Sequence, residues 1–183
     1  MNIPKLFRIL HRSRNGLLVA LFCFSVSQCT FIREATTPAN IPADSSSAGS
    51  ESRLRQRILD YAQTHLGADY RAAGKSPKSG FDCSGFTSYV FKKFDIALAA
   101  SSSGQASQGK RVDPDKVKPG DLVFFRRSKG QEIFHVAMVV SANHKSLKVI
   151  HSTSRGVVID DIYADKYWKP KIDSARDVVS KGK

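Results

Sequence analysis

The spacing of apolar residues changes once along this chain, from a helical period to short β-branched runs, and this change most limits the possible folds. The helical part comes first, with apolar side chains at every fourth position: Leu54, Ile58, Ala62 and Leu66. This spacing predicts an amphipathic helix over residues 51–66 that ends at Gly67. Helices that precede a block of strands predict an α+β fold, with N-terminal helices packed on an antiparallel β-sheet.

A second helix is predicted to begin at Asp82, in the segment Asp82-Cys83-Ser84-Gly85-Phe86. Aspartate is a favoured N-cap residue, and apolar side chains follow at helical spacing. Cys83 then lies in the first turn, where the positive end of the helix dipole stabilises a thiolate and lowers the pKa of the thiol. Gly85 is interpreted as leaving room for a substrate to approach.

The strands are predicted after the turn Pro119-Gly120-Asp121, and residues 101–108 are predicted as a polar loop. The four predicted strands cover residues 122–125, 134–141, 147–152 and 156–159. An antiparallel hairpin brings the start of the second strand close to the end of the third. We therefore expect the imidazoles of His135 and His151 to be neighbours.

The first 28 residues carry four basic side chains and no acidic one, ahead of the apolar run from Leu17 to Val26. This pattern is typical of a secretory signal. Ten residues reach only about 15 Å as a helix, about half of a bilayer core, which argues against a permanent membrane span. A buried N-terminal helix is the alternative.

The apolar run ends in Val26-Ser27-Gln28-Cys29, which resembles the lipobox of bacterial lipoproteins, in which the cysteine is acylated. Gln28 departs from the usual small residue, so ordinary cleavage that leaves Cys29 as a free thiol is the alternative. Residues 29–50 are rich in Thr, Ala, Pro and Ser and are predicted to be a flexible tether. The domain is then expected over residues 51–179, with a tail at 180–183.

The chain is basic, with 29 Lys and Arg against 16 Asp and Glu, a net charge of +13. Removal of residues 1–28 with their four positive charges leaves 25 − 16 = +9. In an exported protein this argues against a nucleic-acid partner and favours anionic polymers of the cell envelope. A generally cationic, solvated surface is the alternative.

Of the three cysteines, Cys23 leaves with the signal and Cys29 is capped by lipid, so Cys83 remains as a lone thiol. A small buried hydrophobic residue is one interpretation of Cys83, and a nucleophile is the other. A nucleophilic thiol needs a base, and the base needs a third group to orient it. We interpret His65 and His144 as surface residues, which leaves His135 and His151 for these roles.

Several segments, in the same order, resemble the NlpC-type family of bacterial cell-wall cysteine peptidases. The resemblance extends over about 120 residues, from Tyr70 onward. The matching segments are Tyr70 with Gly74, Asp82 to Phe86, Pro119 to Phe125, His135 to Met138, Ile150-His151 with Gly156-Val157, and Tyr167-Trp168 with Ala175-Arg176. Two places depart from the family pattern. The loop Leu98 to Ser101 lacks a Pro-Arg pair, and Ala73-Gly74 stands where the family has two glycines.

The resemblance implies a papain-like fold in which Cys83 is the nucleophile, His135 the base and later the acid, and His151 the residue that orients His135. By the same resemblance, Tyr70, Asp82 and Ser84 bind substrate or position the thiol, and the backbone amide of Cys83 contributes to an oxyanion hole. No metal or cofactor is expected.

The activity implied is that of a DL-endopeptidase, which cuts between D-glutamate and diaminopimelate in peptidoglycan stem peptides. We expect a monomer anchored to the outer membrane through a lipid on Cys29 and facing the periplasm. Two alternatives remain open. One is an amidase or acyltransferase with the same machinery, and the other is a zinc-stapled wall-binding module with Cys83, His135 and His151 as ligands. No Cys-x-x-Cys or His-Glu-x-x-His spacing supports zinc.

Overall fold

The computed structural model of the chain describes residues 43–180, with side chains from residue 47 onward. These residues belong to one compact unit. The predicted signal segment, Cys29 and the first part of the predicted tether lie outside the described residues. Within residues 43–180, no helix is both long enough and apolar enough to cross a bilayer.

Three α-helices and eight strands make up the described part of the chain. In chain order they are α1 (Ala43–Gln63), β1 (Lys75–Ser76), β2 (Gly80–Phe81), α2 (Cys83–Lys92), α3 (Ser102–Gln105), β3 (Lys110–Val112), β4 (Leu122–Arg126), β5 (Ile133–Asn143), β6 (Ser146–Thr153), β7 (Gly156–Asp161) and β8 (Ile172–Asp177). Two short 3₁₀ turns, Pro114–Lys116 and Lys169–Lys171, lie in the connections.

Six strands form one antiparallel sheet in the order β3-β8-β4-β5-β6-β7. The strands β4 to β7 follow one another both in the chain and in the sheet, so short turns are sufficient to connect them. The helices precede this block and α2 packs on β5 and β6. The predicted α+β class is confirmed.

Apolar layers cover both faces of the sheet. On one face, Phe86 and Phe91 of α2 pack with Val136 and Met138 of β5 in a fully buried cluster. On the other face, Ala137 and Val139 pack beneath the connections that carry Val117, Ile162 and Trp168. The alternation along β5 therefore sends successive side chains into different layers, as a strand buried on both faces requires.

The helix α1 differs from the prediction at both ends. It begins at Ala43, so residues 43–50, predicted as part of the tether, are helical. Once Ile58 and Leu59 are buried against the sheet, extension through alanine and serine adds one hydrogen bond per residue at small cost. The helix ends at Gln63, before Leu66, which is 46% exposed rather than part of the buried stripe.

One buried arginine ties α1 to the sheet. The guanidinium of Arg55 lies 2.7 Å from Asp121 and 2.7 Å from Asp177, and 2.8 Å from Glu51 on its own helix. It also donates to the carbonyl oxygen of Pro119 at 2.9 Å. We call Glu51, Arg55, Asp121 and Asp177 the arginine cluster. It joins α1 to the turn before β4 and to the end of β8.

Three parts of the chain differ from the sequence interpretation. The predicted polar loop at 101–108 contains the short helix α3, because Ser101 caps it and the fully buried Gln105 fixes its end. The strands β1, β2 and β3 are two or three residues long, which is too short to produce a periodic pattern. Tyr167-Trp168 precedes β8, whereas Ala175-Arg176 lies within it.

Candidate active site

Asp82 caps the N-terminus of α2 and thereby fixes the position of Cys83. The Asp82 carboxylate accepts a hydrogen bond from the backbone N–H of Gly85 at 2.6 Å. Its backbone is extended, as in other N-cap residues. Cys83 is therefore the first residue of α2, which is the position that the sequence predicts.

Gly85 allows α2 to pack closely against another segment of backbone. A methyl group at this position would lie 2.0 Å from the carbonyl oxygen of Gly74, so only glycine fits. The interpretation that Gly85 leaves room for a substrate is wrong, because Gly74 occupies that space. Ala73, at the site of the family's other glycine, adopts a left-handed φ of 58°, a conformation that is rare outside glycine.

Ser84 and Gln105 brace the same turn of the helix. The Ser84 hydroxyl lies 2.9 Å from the carbonyl oxygen of Ala100 and 3.1 Å from the Asp82 carboxylate. The Gln105 amide donates to the carbonyl oxygen of Ser84 at 3.0 Å and accepts from Thr87 at 2.8 Å. Neither Asp82 nor Ser84 lines the cleft beside the thiol. In this structure both residues contact the start of α2, which carries Cys83.

Burial dominates the electrostatics of the Cys83 thiol. Burial raises the pKa of Cys83, and the backbone N–H groups of Val136, Ser84 and Cys83 itself oppose it without reversing it. The nearby Asp82 carboxylate raises the pKa further. The lowered pKa that the helix dipole predicts is therefore wrong for the free protein, because desolvation outweighs the N–H groups. The resting sulfur carries its proton at neutral pH.

The two candidate histidines lie side by side on one face of the sheet. The register aligns Met138 of β5 with Ile150 of β6, so His135 and His151 occupy diagonal positions. Nε2 of His135 lies 3.0 Å from Nδ1 of His151. The neighbouring imidazoles expected from the sequence are therefore present, and Nδ1 of His135 remains available to another group.

Asp160 of β7 extends this pair on the same face. It is aligned with Val149, two residues from His151, so the two polar side chains are again diagonal neighbours. Asp160 Oδ2 lies 2.9 Å from Nε2 of His151, and the same oxygen accepts from the exposed Arg155. We call Cys83, His135, His151 and Asp160 the histidine relay. The sequence interpretation missed Asp160, since the predicted strand stopped at Ile159.

Desolvation keeps both imidazoles neutral. Burial, and then the neighbouring His151, lower the pKa of His135 to about 3. Burial also lowers the pKa of His151, although the hydrogen bond and negative charge of Asp160 oppose it. A neutral His135 at physiological pH has a lone pair for a proton, which is what a general base requires.

The indole of Trp168 covers the histidine pair. Its ring centroid lies 4.5 Å from that of His135, 5.3 Å from that of His151 and 5.0 Å from that of Phe125. This cover excludes water and so accounts for part of the desolvation of the two imidazoles. The family resemblance placed Trp168 only in a closing strand, and no local pattern in the sequence indicates its contact with His135.

Cys83 and His135 line a cleft of about 700 Å³. Tyr70, which is 46% exposed, contributes to the same cleft, whereas His151 lies fully buried behind His135. The charged residues that line this cleft are Arg127, Arg155, Asp160 and Asp165. A second cleft of about 640 Å³ runs along α2 and contains neither the thiol nor the two imidazoles.

The two remaining described histidines lie outside this cleft. His144 is exposed in the turn between β5 and β6, as expected. His65 is not a solvated surface residue, because its ring packs against Tyr61, Phe81 and Tyr89, and its Nε2 is enclosed without a hydrogen-bond partner. Burial accordingly lowers the pKa of His65.

The proposed zinc ligands do not fit a zinc site. Both ring nitrogens of His151 are engaged, one with His135 and the other with Asp160. Zinc would need one of these nitrogens as a ligand. Within residues 43–180, no group of three or more His, Cys, Asp or Glu side chains is arranged to hold a metal ion.

Two curated relatives resemble much of the chain. The gamma-DL-glutamyl hydrolase of Bacillus subtilis (strain 168) is 33% identical over 167 residues, 90% of this chain and 36% of the relative. The murein DD-endopeptidase MepS/murein LD-carboxypeptidase of Escherichia coli (strain K12) is 36% identical over 130 residues, 70% of this chain and 65% of the relative. The chain thus spans about a third of the first relative and less than two thirds of the second.

A solved structure has the same fold. The NlpC/P60 family protein from Bacillus cereus ATCC 10987 superimposes with a TM-score of 0.61 and 31% identity, over 69% of this chain and 40% of that one. The sequence pattern of the NlpC/P60 family matches residues 67–177, which contain all four members of the histidine relay and more than half of the chain. On this match the chain belongs to the NlpC/P60 family.

Proposed function

We propose that this protein is a cysteine peptidase that hydrolyses peptide bonds in bacterial peptidoglycan. The observation that carries the proposal is the arrangement of the relay. The Cys83 thiol at a helix start and a neutral, buried imidazole line one cleft, and a second imidazole holds the far nitrogen of the first. This is the combination of nucleophile, base and orienting group that acyl transfer through cysteine requires.

The first half of the reaction forms an acyl-enzyme. Nδ1 of His135 takes the proton of the Cys83 thiol as the sulfur attacks the carbonyl carbon of the scissile bond. His135 then gives this proton to the leaving amine, and the C–N bond breaks to leave a thioester on Cys83. Because the free thiol has a raised pKa and His135 is neutral, proton transfer accompanies attack and does not precede it.

The second half regenerates the free enzyme. Water attacks the thioester carbonyl and gives a proton to His135, and His135 returns it to the sulfur as the acid product leaves. The negative oxygen in both halves lies near the helix start, where the backbone N–H of Cys83 is a donor. Trp168 limits access of bulk water to the imidazoles, which preserves the strength of these interactions.

The substrate proposed is a stem peptide, cut between D-glutamate and diaminopimelate. Such stems carry free carboxylates and a free amino group, and the cleft presents both Arg127 and Arg155 and the carboxylates of Asp160 and Asp165. The net charge of +9 on residues 29–183 has the same sign as the two arginines. The activity named for the Bacillus subtilis relative, a gamma-DL-glutamyl hydrolase, supports cleavage next to a glutamyl residue.

Digestion of defined muropeptides tests the proposal. Purified protein is incubated with tripeptide and tetrapeptide stems, and the products are identified by mass spectrometry. We expect a sugar-linked dipeptide ending in D-glutamate and a fragment with a new amino terminus at diaminopimelate. Product formation should disappear in Cys83→Ser. Equal product from Cys83→Ser and the unaltered protein would remove Cys83 from the mechanism.

A second candidate is cleavage of the D,D cross-link between two stems. The name of the Escherichia coli relative, a murein DD-endopeptidase, favours this bond. Cross-linked dimers separate the two candidates, because DD-cleavage yields two intact tetrapeptide monomers, whereas DL-cleavage shortens a stem. Transfer of the acyl group to an added amine, in place of hydrolysis, would indicate an acyltransferase instead.

We also propose that the protein is exported and anchored to the outer membrane through acylated Cys29. The proposal rests on the basic residues 5–14, the apolar run from Leu17 to Val26 and the lipobox-like Val26-Ser27-Gln28-Cys29. Labelling of cells with a radioactive fatty acid should mark the unaltered protein and not Cys29→Ala. A soluble, unlabelled protein in the periplasm would contradict the anchor and leave the peptidase proposal untouched.

A further inference from the structure

The relay contains one residue whose hydrogen bonds fix the protons on both imidazoles. Asp160 accepts from Nε2 of His151 at 2.9 Å, and an ionised carboxylate has no proton to donate. Nε2 of a neutral His151 must therefore carry the hydrogen, which leaves Nδ1 as an acceptor. At 3.0 Å, this Nδ1 accepts from Nε2–H of His135. Nδ1 of His135 is then the unprotonated nitrogen that a thiol proton needs.

The ionised state of Asp160 is itself supported by its surroundings. Burial acts to raise the pKa of this carboxyl, but the hydrogen bonds from His151 and Arg155 outweigh it and lower the pKa. Arg155 and His151 donate to the same oxygen, Oδ2. The Arg155 side chain is 58% exposed and lines the cleft, so its charge acts on the relay from the solvent side.

We propose that Asp160 is a positioning residue that sets the tautomers of His151 and His135 and so makes Nδ1 of His135 the base, while Arg155 moderates the negative charge of Asp160. This inference rests on the proposed role of Cys83 and His135 in catalysis. Asp160 lines the edge of the cleft, but in this scheme it acts on the sulfur only through the two imidazoles. It acts through two imidazoles and thereby stabilises the imidazolium that forms when Cys83 loses its proton.

Other charged groups surround the relay and also contribute to the electrostatic potential at its thiol and imidazoles. They are Asp82 before α2, Arg127 after β4, Arg155 in the β6–β7 turn and Asp165 after β7. Asp165 raises the pKa of His151 and Arg155 lowers it, although burial remains the largest effect. Unlike these four groups, Asp160 is hydrogen-bonded to an imidazole of the relay.

Substitution of Asp160 and of Arg155, the two charged neighbours of His151, should change the reactivity of the Cys83 thiol in opposite directions. In Asp160→Asn the imidazolium loses a negative partner, so the thiolate–imidazolium pair becomes rarer and the thiol less reactive. In Arg155→Met an opposing positive charge is removed, so the pair becomes more frequent and the thiol more reactive. The second effect is expected to be the smaller one, because Arg155 is exposed and solvent screens its charge.

Alkylation of Cys83 by iodoacetamide between pH 5 and 10 measures these changes without any peptide substrate. Trypsin releases Cys83 in the peptide Ser79–Lys92, which mass spectrometry separates from Cys23 and Cys29. At pH 7 we expect alkylation to slow about tenfold in Asp160→Asn, the equivalent of one pKa unit, and to accelerate about twofold in Arg155→Met. With muropeptides, Asp160→Asn should lower kcat about tenfold, because the imidazolium of the relay is destabilised by about one pKa unit. KM should stay within about twofold, because the Asp160 side chain is only 16% exposed at the edge of the cleft.

Matched controls keep the result interpretable. Asp161→Asn alters the adjacent acid of β7, whose carboxylate bonds with Ser146 and Leu147 instead of a histidine, and should leave the alkylation profile unchanged. Asp160→Glu keeps the charge and should recover part of the rate. If Asp160→Asn does not fold, the predicted acceleration in Arg155→Met, at an exposed position, still tests the scheme.

Two kinds of failure can be told apart. In the first, the unaltered protein cleaves muropeptides, and Asp160→Asn folds and keeps the same alkylation profile and kcat. This result would overturn the role of Asp160 and leave the peptidase proposal standing. A slower alkylation in Arg155→Met would also overturn it. If the unaltered protein cleaves no stem peptide and Cys83 reacts like a free cysteine, the proposed function itself fails.

Discussion

Two buried polar clusters of this protein offset the desolvation of their titratable groups in opposite ways. In the arginine cluster the groups stay charged, since Arg55 lies within 2.8 Å of three carboxylates. Burial acts to lower the pKa of the guanidinium, but Asp121 and Glu51 outweigh it and raise the pKa. In the histidine relay the thiol and both imidazoles are kept neutral by burial. The first arrangement fixes positions, and the second leaves a proton free to move.

Paired charges in this protein stabilise the structure, whereas neutral titratable groups are the ones available for chemistry. A charge paired on several sides cannot titrate near neutral pH and contributes only to the position of α1. A neutral imidazole beside a protonated thiol can exchange a proton at small cost once a substrate arrives. Changes in the relay should therefore alter activity, and changes in the arginine cluster should alter stability.

Cys83→Ser should break the chemistry without breaking the fold. Hydrolysis of muropeptides should fall by at least about 10³-fold, because the nucleophile is lost and single members of such a triad cost this much or more. The free energy of unfolding, measured with urea, should change by less than about 1 kcal/mol, since the substitution is nearly isosteric. Loss of folding together with activity would indicate that Cys83 is a core residue and not a nucleophile.

Arg55→Met should do the reverse. It leaves Asp121, which is 1% exposed, without its ionic partner, and such a break destabilises by about 3–5 kcal/mol. The folded fraction should retain the kcat of the unaltered protein. Arg53→Met, at an exposed position on the same helix, is the matched control and should change the urea midpoint little. A drop in kcat at full folding would mean that the two clusters are coupled.

The pH dependence of stability should separate the two clusters by their titration windows. The folded pKa of His135, about 3, lies below its unfolded value of about 6.5, so the unfolded chain binds the proton first. Stability from His135 is therefore complete above pH 6.5 and is lost as the pH falls towards 3, by at most about 1.4 kcal/mol per pH unit. In the arginine cluster, the lowered pKa of Asp177 adds a loss only below its ordinary carboxyl range, whereas burial raises the pKa of Asp121 and so opposes that loss.

Urea denaturation at pH 7.0, 6.0, 5.0 and 4.5 measures this slope. Acidification from pH 6.5 to 4.5 should cost up to about 2.7 kcal/mol through His135. In His135→Gln this part of the slope should be absent, and the contributions of His151 and His65, whose pKa values burial also lowers, should remain. An equal slope in both proteins would show that His135 is not held neutral by the fold.

Trp168→Leu should have a smaller effect on activity and stability than the preceding changes. Removing the indole 4.5 Å from His135 admits water, which raises the pKa of His135 towards its ordinary value. We expect a loss of about 1 kcal/mol in stability and a few-fold fall in kcat, because the aromatic cover is lost while the hydrogen bonds remain. Tyr167→Leu, next to it but 52% exposed, provides the control.

The sequence predicted the parts of the site that depend on local rules. Asp82 as an N-cap, Cys83 in the first turn of α2 and the hairpin that joins His135 to His151 all follow from residue type and strand alternation. The central strands β4 to β7 also match their predicted positions within two residues at each end. These features need only a short stretch of chain to be specified.

The parts that the sequence did not predict depend on distant contacts. Asp160 matters because the β6–β7 register makes it a diagonal neighbour of His151, and no local pattern marks an aspartate at a strand end for that role. Trp168 lies in the irregular connection between β7 and β8, and its ring contacts that of His135. The raised pKa of Cys83 reflects burial by the complete fold, which a helix-dipole argument does not contain.

The protonation state of His135 decides most directly whether it can be the base of the relay. Nitrogen NMR of protein labelled with ¹⁵N-histidine reports the charge and the tautomer of each ring. At pH 7 we expect neutral His135 and His151, each with its hydrogen on Nε2, and a His135 that is still neutral at pH 5. An imidazolium at His135, or a hydrogen on its Nδ1, at pH 7 would contradict this expectation, because the base of the relay would then already hold its proton.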